Sequence, residues 1–352
     1  MKKEGSMNDT FLKACRGEEV DYTPIWIMRQ AGRYLPEYQA VRANIDFLAL
    51  CKNPELAAQV TLQPVDILGV DAAILFSDIL IPLEPMGMRL EFSEKEGPVL
   101  NEPVRSKSAV ERLLIPDVEE DMRFVFDTIR ILRKELENKV PLIGFSGAPF
   151  TLATYMIEGG SSKNFLHTKK LMFQYDSIFG YLMEKITDTV ISYLSAQIKA
   201  GAQAVQLFDT WAGVLSPVDY KKFALPYVRK AVSELKKEGV PIIYFVNNCA
   251  GLLKEVKKSG ADVTGIDWRI DIFEAIRKLG KKMVVQGNLD PCALFLPKEI
   301  LEERVKDILW KGESAQGHIF NLGHGVLPQT PVENVIALVE AVHTHGRKDK
   351  TY

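Results

Sequence analysis

The chain has 352 residues, of which 47% are hydrophobic and 26% are charged. This length exceeds an average domain of ~100–150 residues but suits a barrel of ~250 residues with insertions, and the composition can support a large core. The 44 Lys and Arg residues nearly balance the 46 Asp and Glu residues, giving a net charge of −2, which argues against a nucleic-acid-binding or membrane-surface protein.

The sequence also bears on the location of the protein. It contains no run of about 18 apolar residues that would predict a membrane span, and its first residues lack the apolar core of a signal peptide. The four cysteines form no CxxC pair, so reduced thiols are the simplest interpretation. We therefore expect a soluble cytoplasmic protein in which residues 1–8 form a disordered N-terminal segment.

Eight short apolar, β-prone runs are spaced along the chain, and each is followed by a helical pattern. Near-continuous apolar runs are typical of strands that are buried on both faces of a parallel sheet. Eight strand–helix units favour one closed (β/α)₈ barrel over residues 1–352, and no GxGxxG turn follows the first run, as a doubly wound sheet would require. The runs are 24–29, 72–78, 141–147, 204–210, 241–248, 263–268, 283–288 and 318–324.

The segments between these runs carry helix start signals. Asn53, Ser216 and Thr330 each precede a proline and an acidic residue within three positions, which predicts helix N-caps. Residues 171–200 predict one long amphipathic helix, and the segment 81–115 predicts a β-rich insertion.

In a (β/α)₈ barrel, the active site forms at the C-terminal ends of the strands. Arg29 and Arg33 follow the first run and are four residues apart, so a helical turn would place both guanidiniums on one side. Paired guanidiniums suit carboxylate or phosphate recognition. Alternatively, the two arginines only cap loops or pair with nearby acids.

Four further side chains stand at or beyond strand ends. Asp78 closes an apolar run, where a carboxylate needs hydrogen-bond donors from the protein or from a substrate, although it could also be a helix N-cap. His324 has a glycine on each side, which would leave the backbone free to approach a ligand; the alternative is a histidine held by a local turn. Tyr155 could be a core tyrosine and Thr210 an N-cap.

Motifs for other chemistries are missing from the sequence. It contains no HExxH, no His-x-Cys pair, no GxSxG and no phosphate-binding loop. The residues alone therefore predict a metal-free barrel enzyme that binds an anionic ligand.

Five segments resemble the uroporphyrinogen decarboxylase family. They are 24–38 (PIWIMRQAGRYLPEY), 72–79 (AAILFSDI), 144–160 (GFSGAPFTLATYMIEGG), 286–294 (QGNLDPCAL) and 321–325 (NLGHG). The similarity runs from about residue 9 to residue 347 in the expected order, and motifs of this length are highly specific.

The resemblance implies a single barrel, usually a homodimer, that converts uroporphyrinogen III to coproporphyrinogen III in haem biosynthesis. Four acetate carboxyls would leave as CO₂ without a cofactor or metal. It implies Asp78, Arg29 and Tyr155 as catalytic residues. It implies Arg29, Arg33, Arg42, Asp78, Tyr155, Thr210 and His324 as substrate-binding residues, with Arg42 the weakest match and Thr210 standing where some members have Ser.

The chemistry of this substrate implies a role for each group. The arginines and His324 would neutralise and orient the eight carboxylates, Asp78 would accept the pyrrole N–H groups, and Tyr155 and Thr210 would hydrogen-bond the reacting acetate. The proton donor stays open. Arg29 is a poor general acid, because a guanidinium holds its proton tightly, and a water held by Arg29 or the substrate's own carboxyl could serve instead.

Two other functions fit parts of the pattern. Zinc-dependent methyltransferases of the same superfamily need a His-x-Cys ligand pair, but Val326 stands two residues after His324. A non-catalytic tetrapyrrole carrier could use the same pocket. In every case the expected partner is a small molecule, with no nucleic acid and no membrane.

Overall fold

The computed structural model describes residues 7–93 and 97–348, and its centre is a curled sheet of seven parallel strands. The sheet order is β1-β4-β5-β6-β7-β8-β9, and β2 and β3 form a separate antiparallel hairpin. The strands are β1 (Ala73–Ile74), β2 (Arg89–Ser93), β3 (Gly97–Asn101), β4 (Leu142–Gly147), β5 (Ala204–Asp209), β6 (Ile242–Val246), β7 (Val263–Gly265), β8 (Val284–Gln286) and β9 (Gly317–Ile319).

Helices surround this sheet and bury their apolar sides against it. They are α1 (Thr10–Cys15), α2 (Pro36–Arg42), α3 (Phe47–Cys51), α4 (Pro54–Leu68), α5 (Lys107–Arg112), α6 (Val118–Asp121), α7 (Arg123–Glu135), α8 (Pro149–Glu158), α9 (Leu166–Gln174), α10 (Asp176–Ala200), α11 (Pro217–Phe223), α12 (Leu225–Leu235), α13 (Leu253–Val256), α14 (Ile272–Leu279), α15 (Lys298–Gly312) and α16 (Val332–His345). Within the described ranges, none of these helices is both long and apolar enough to cross a membrane.

The segment 24–28 closes the barrel between β9 and β1. Phe320 N donates to Pro24 O at 2.8 Å on one side, and Asp71 N donates to Ile25 O at 2.8 Å on the other. The (β/α)₈ architecture predicted from the sequence is therefore confirmed, with this segment in the first strand position.

The prediction of a regular strand over 24–29 is wrong, because three backbone N–H groups there donate to side chains, and only Trp26 N keeps a backbone bond to the neighbouring strand, to Phe320 O at 3.4 Å. Ile25 N donates to Asp71 Oδ2 at 2.8 Å, Ile27 N to Gln30 Oε1 at 3.1 Å, and Met28 N to Asn321 Oδ1 at 3.0 Å. Pro24 has no N–H to donate. All three acceptor residues are buried, so buried side chains add to the backbone hydrogen bonds that close the barrel at this seam.

Asp71 is the central acceptor of the seam. Its Oδ1 accepts from Tyr22 OH at 2.6 Å and from Asn8 Nδ2 at 3.0 Å, and its Oδ2 accepts from Ile25 N and from His343 Nε2, each at 2.8 Å. One buried carboxylate thus joins the N-terminal segment to α16. Asn8 was expected to be disordered and is instead held here; residues 1–6 of that expected segment lie outside the described residues.

Other local predictions had mixed outcomes. The hairpin of β2 and β3 confirms the β-rich insertion. Asn53 and Ser216 cap α4 and α11 through their side chains, as predicted. Thr330 does not cap α16, which begins two residues later. The predicted helix over 171–200 is broken at Tyr175, where the backbone leaves the helical region, and this break separates α9 from α10.

Removal of the Asp71 carboxylate should strongly destabilise the protein. We expect Asp71→Ala to lower the free energy of unfolding by about 3–5 kcal/mol, because it leaves Ile25 N and other buried donors without an acceptor. Chemical denaturation measures this. The matched control is Asp66→Ala, since Asp66 is exposed and forms a surface ion pair with Lys139; its cost should stay below about 1 kcal/mol. Equal losses in the two variants would contradict the role given to Asp71.

Candidate active site

Arg29 stands on a turn at the end of the closing segment. Gln30 N donates to Ile27 O at 2.9 Å, and Arg29 has a φ of 61°, the left-handed region that a β-turn of this kind normally fills with Gly or Asn. The helical turn expected between Arg29 and Arg33 is therefore wrong. Two successive tight turns replace it, the second closed by Leu35 N donating to Gly32 O.

Gly325 makes room for the Arg29 side chain. A Cβ atom at position 325 would lie only 2.4 Å from Arg29 Cδ and 2.7 Å from its Cγ. The expectation that the glycines around His324 leave space for a ligand is thus wrong for Gly325, because the aliphatic part of Arg29 fills that space. At Gly323, a Cβ would lie 2.3 Å from Trp268 N. These close contacts bring Arg29 against the loop that carries His324.

Asp78 lies beyond the end of β1 and is half-buried. Its Oδ1 accepts a hydrogen bond from Leu80 N at 2.9 Å, and its Oδ2 accepts none from the described residues. Burial raises the pKa of this carboxyl from 3.8 to about 6, although the Leu80 N–H and the Arg29 charge oppose the rise. Asp78 does not cap a helix through its side chain, since Leu80 directly precedes the following 3₁₀ helix.

Tyr155 lies on α8, which begins with Pro149 and buries nearly every side chain along its length. Burial raises the pKa of the Tyr155 phenol to about 12, and the Asp78 charge raises it further. The Arg29 charge and the nearby Trp211 side chain lower it. Arg29, Asp78 and Tyr155 therefore lie within electrostatic range of one another at the barrel mouth.

His324 joins this group as a neutral side chain. Burial lowers the pKa of its imidazole to about 4, and the charges of Arg29 and Arg269 lower it further against the opposing effect of Asp267. The imidazole is therefore neutral in the substrate-free protein, and its role towards substrate carboxylates stays a prediction. Without a ligand, His324 can donate a hydrogen bond but carries no charge at neutral pH.

Arg33 and Arg42 form a second, adjacent group around Tyr38. Both charges lower the pKa of the Tyr38 phenol against the larger effect of burial, and the Arg42 guanidinium donates to Ile45 O. The Tyr38 ring packs against Phe76, two residues before Asp78, with ring centres 5.7 Å apart. Thr210 is half-buried directly after β5. The structure thus shows one cluster at Asp78, a flanking basic pair, and Thr210 at a neighbouring strand end.

Two other strand-end carboxylates stabilise the scaffold. Asp209 accepts from Thr151 Oγ1 at 2.7 Å and from Tyr244 OH at 2.6 Å, and burial raises its pKa to about 6. Asp267 accepts from Asn248 N at 2.7 Å and from Arg269 at 2.6 Å. Both carboxylates are fully buried and already hold protein donors.

Sequence reasoning missed Arg269 as a cation of the barrel mouth. Its guanidinium lies 3.8 Å from the centre of the Trp268 ring and also donates to Asn247 Oδ1 at 2.9 Å. The available signal was its position two residues after Asp267, at the end of the sixth apolar run.

In residues 7–93 and 97–348, no group of three or more His, Cys, Asp or Glu side chains is arranged to hold a metal ion.

Comparison with known proteins gives a consistent result. The family model described as "Uroporphyrinogen decarboxylase (URO-D)" matches residues 6–345. The uroporphyrinogen decarboxylase of Geobacter metallireducens is 57% identical over 342 residues, covering 97% of this chain and all of that protein. The protein of the same name from Desulfotalea psychrophila is 58% identical over 337 residues, covering 96% of this chain and 98% of that protein.

A solved structure is similar in fold alone. The methyltransferase from Methanosarcina mazei superposes with a TM-score of 0.80 at 21% identity, covering 96% of this chain and 98% of that one. The family model, by contrast, matches nearly the whole chain, and the curated relatives match it at more than half of the aligned positions. The prediction of a carboxy-lyase of porphyrin biosynthesis is confirmed: this chain belongs to the uroporphyrinogen decarboxylase family.

Proposed function

We propose that this enzyme converts the four acetate side chains of uroporphyrinogen III to methyl groups, giving coproporphyrinogen III. The observation that carries the proposal is the Asp78 carboxylate, which is desolvated at the barrel mouth beside Arg29 and has one oxygen that accepts no hydrogen bond from the described residues. The names of the curated relatives support the choice of substrate.

The four pyrrole N–H groups of the substrate can converge on Asp78. A carboxylate that has lost water without gaining a full set of protein donors is destabilised, and the bound pyrroles would supply the missing hydrogen bonds. The same negative charge would stabilise the positive charge that develops on a pyrrole ring during reaction. Binding and catalysis would therefore use one preorganised group.

The decarboxylation balances within the substrate. A proton adds to a pyrrole ring carbon, and the electrons of the bond between the acetate methylene and its carboxylate then flow into the ring as CO₂ leaves. The exocyclic methylene next takes up a proton to become a methyl group, and the ring carbon loses its proton. The substrate ring is thus the electron sink. Arg29 would hold the acetate or a water at the reacting carbon, because a guanidinium holds its proton too tightly to be a good proton donor.

The remaining groups would bind the periphery of the substrate. Arg33 and Arg42 bring the positive charge that eight carboxylates require. Tyr155 stays protonated because of its raised pKa and would donate to the reacting acetate, with Thr210 beside it. His324 would donate from a neutral ring, since burial keeps it uncharged before the substrate binds.

We further propose that the enzyme is a homodimer and acts in the cytoplasm. The family resemblance supports the dimer, and the exposed apolar side chains Leu166, Phe173, Tyr175 and Tyr181 on and beside α9 are available for contacts between copies. Light scattering on the purified protein, at decreasing concentration, tests the assembly. A monomer at all concentrations would remove the dimer from the proposal.

The first experiment is an anaerobic assay of chelator-treated protein with uroporphyrinogen III. Coproporphyrinogen with four CO₂ per substrate is the expected outcome, and it would also test the expected independence from metals and cofactors. Tight binding without turnover would instead support a tetrapyrrole carrier.

Asp78→Asn should separate stability from activity. Turnover should fall at least ~100-fold, the scale of one lost preorganised electrostatic group. The melting temperature of the substrate-free protein at pH 7.5 should rise, because ionisation of Asp78 costs stability. That cost is absent below pH 4, where the carboxyl is protonated in both folded and unfolded states. It grows between pH 4 and 6 and is complete above about 6.

The pH profile gives a second readout of the same group. In the unmodified enzyme, kcat/KM should fall as the pH drops through about 6, where Asp78 takes up a proton. Turnover of Asp78→Asn near that of the unmodified enzyme, or a lower melting temperature at pH 7.5, would contradict the role proposed for Asp78.

Arg33→Ala should impair binding more than chemistry. We expect KM to rise by more than kcat falls, because a guanidinium that orients a peripheral carboxylate contributes in both ground and transition states. Arg130→Ala is the matched control, since Arg130 is exposed and forms an ion pair with Asp127 on α7; its kinetics should not change. A fall in kcat with unchanged KM in Arg33→Ala would place Arg33 in the chemical step.

A further inference from the structure

The indole N–H of Trp211 is a buried donor beside the active site. Trp211 directly follows Thr210 after β5, and its Nε1 is inaccessible to solvent without an acceptor at hydrogen-bonding geometry in the described part of the chain. Buried indole N–H groups usually find a partner, and leaving one unpaired is costly. This donor therefore calls for an explanation.

The polar atom facing it is the Tyr155 hydroxyl. The Trp211 and Tyr155 rings lie 5.8 Å apart at an angle of 59°, and the Trp211 side chain is close enough to lower the pKa of the Tyr155 phenol. On another side, the indole packs against Phe165, with ring centres 5.2 Å apart. The indole thus packs between two aromatic rings, and the polar group of one of them is the Tyr155 hydroxyl.

Hydrogen bonds of the Thr151 hydroxyl hold Trp211 and Tyr155 in this arrangement. Thr151 Oγ1 donates to Asp209 Oδ1 at 2.7 Å and accepts from Trp211 N at 3.1 Å. Thr151 and Tyr155 are four residues apart on α8 and therefore share one face of that helix. The Thr151 hydroxyl thus links α8 to the turn after β5, and this link fixes the position of Tyr155 relative to Trp211.

We propose that Trp211 is a positioning residue that donates its indole N–H to the Tyr155 hydroxyl oxygen when the tetrapyrrole is bound. With that lone pair occupied, the phenol proton points away from Trp211 and towards the reacting acetate. Catalytic hydrogen bonds are often long in the free enzyme and shorten in the substrate complex, which accounts for a donor that is close but not yet bonded. The inference rests on the role of Tyr155 given under Proposed function.

Trp211→Phe tests the proposal because it keeps an aromatic ring and removes the N–H. We expect kcat to fall about five- to tenfold, the scale of one hydrogen bond, with KM changed less than about twofold. The matched control is Trp310→Phe, the same chemical change at an exposed tryptophan on α15, which should leave both constants unchanged. If Trp211→Phe does not fold, benzothienylalanine at position 211 replaces the N–H by sulfur with nearly the same shape.

A double variant separates this role from direct contact with the substrate. Tyr155→Phe alone should lower kcat about tenfold, and Trp211→Phe combined with Tyr155→Phe should be no slower than Tyr155→Phe alone, because the indole then has no hydroxyl to position. Effects that multiply in the double variant would overturn the proposal, since Trp211 would then act on its own. An unchanged kcat in Trp211→Phe would overturn it as well.

A spectroscopic readout does not depend on activity. With a difluorinated tyrosine at position 155, the fluorine signal reports ionisation of the phenol in an accessible pH range. Trp211→Phe should raise the pKa of that phenol, because a donor that favours the phenolate is lost. An unchanged pKa would overturn the contact itself. A raised pKa with normal turnover in Tyr155→Phe would instead overturn the catalytic use of the contact and the role proposed for Tyr155.

Discussion

The structure depends on how the first segment of the barrel satisfies its backbone. A closed parallel barrel needs acceptors for every buried N–H. In residues 24–28, three of these acceptors are the side chains of Asp71, Gln30 and Asn321, and Trp26 N donates to the backbone of Phe320. This arrangement frees the segment from the geometry of a regular strand. It can therefore end in the tight turn that places Arg29 at the barrel mouth in a left-handed conformation.

Desolvation sets the charges at the site. Burial disfavours the ionised forms of Asp78, Tyr155 and His324 alike, so the arginines supply the positive charge and Asp78 is a carboxylate without enough donors. An anionic ligand that carries its own N–H groups is complementary to such a site in both respects. Ionisation of the buried Asp78 should therefore lower the stability of the substrate-free enzyme, as is common where function requires a destabilised group.

The sequence was sufficient to predict the order of the strands, the insertion after the second strand and the strand-end positions of the main site residues, because apolar runs and loop positions are local features. The pattern of apolar runs could not separate Asp78 from Asp209, because both lie at or next to the end of a run, and only the family resemblance singled out Asp78. The fold then shows that Asp209 already accepts hydrogen bonds from Thr151 and Tyr244. Nor could the sequence show that Gly325 accommodates Arg29, or that burial keeps His324 neutral, because both depend on packing between distant segments.

The side-chain seal of the barrel has a consequence for its dynamics. Elsewhere adjoining strands share ladders of backbone hydrogen bonds, whereas here several contacts rest on individual side chains that can rotate away. Local opening should therefore begin at this seam, at a lower free energy than global unfolding. Because Arg29 lies at the end of the same segment, each such opening would disassemble the proposed catalytic centre while the rest of the barrel stayed folded. Heat would then inactivate the enzyme before it melts.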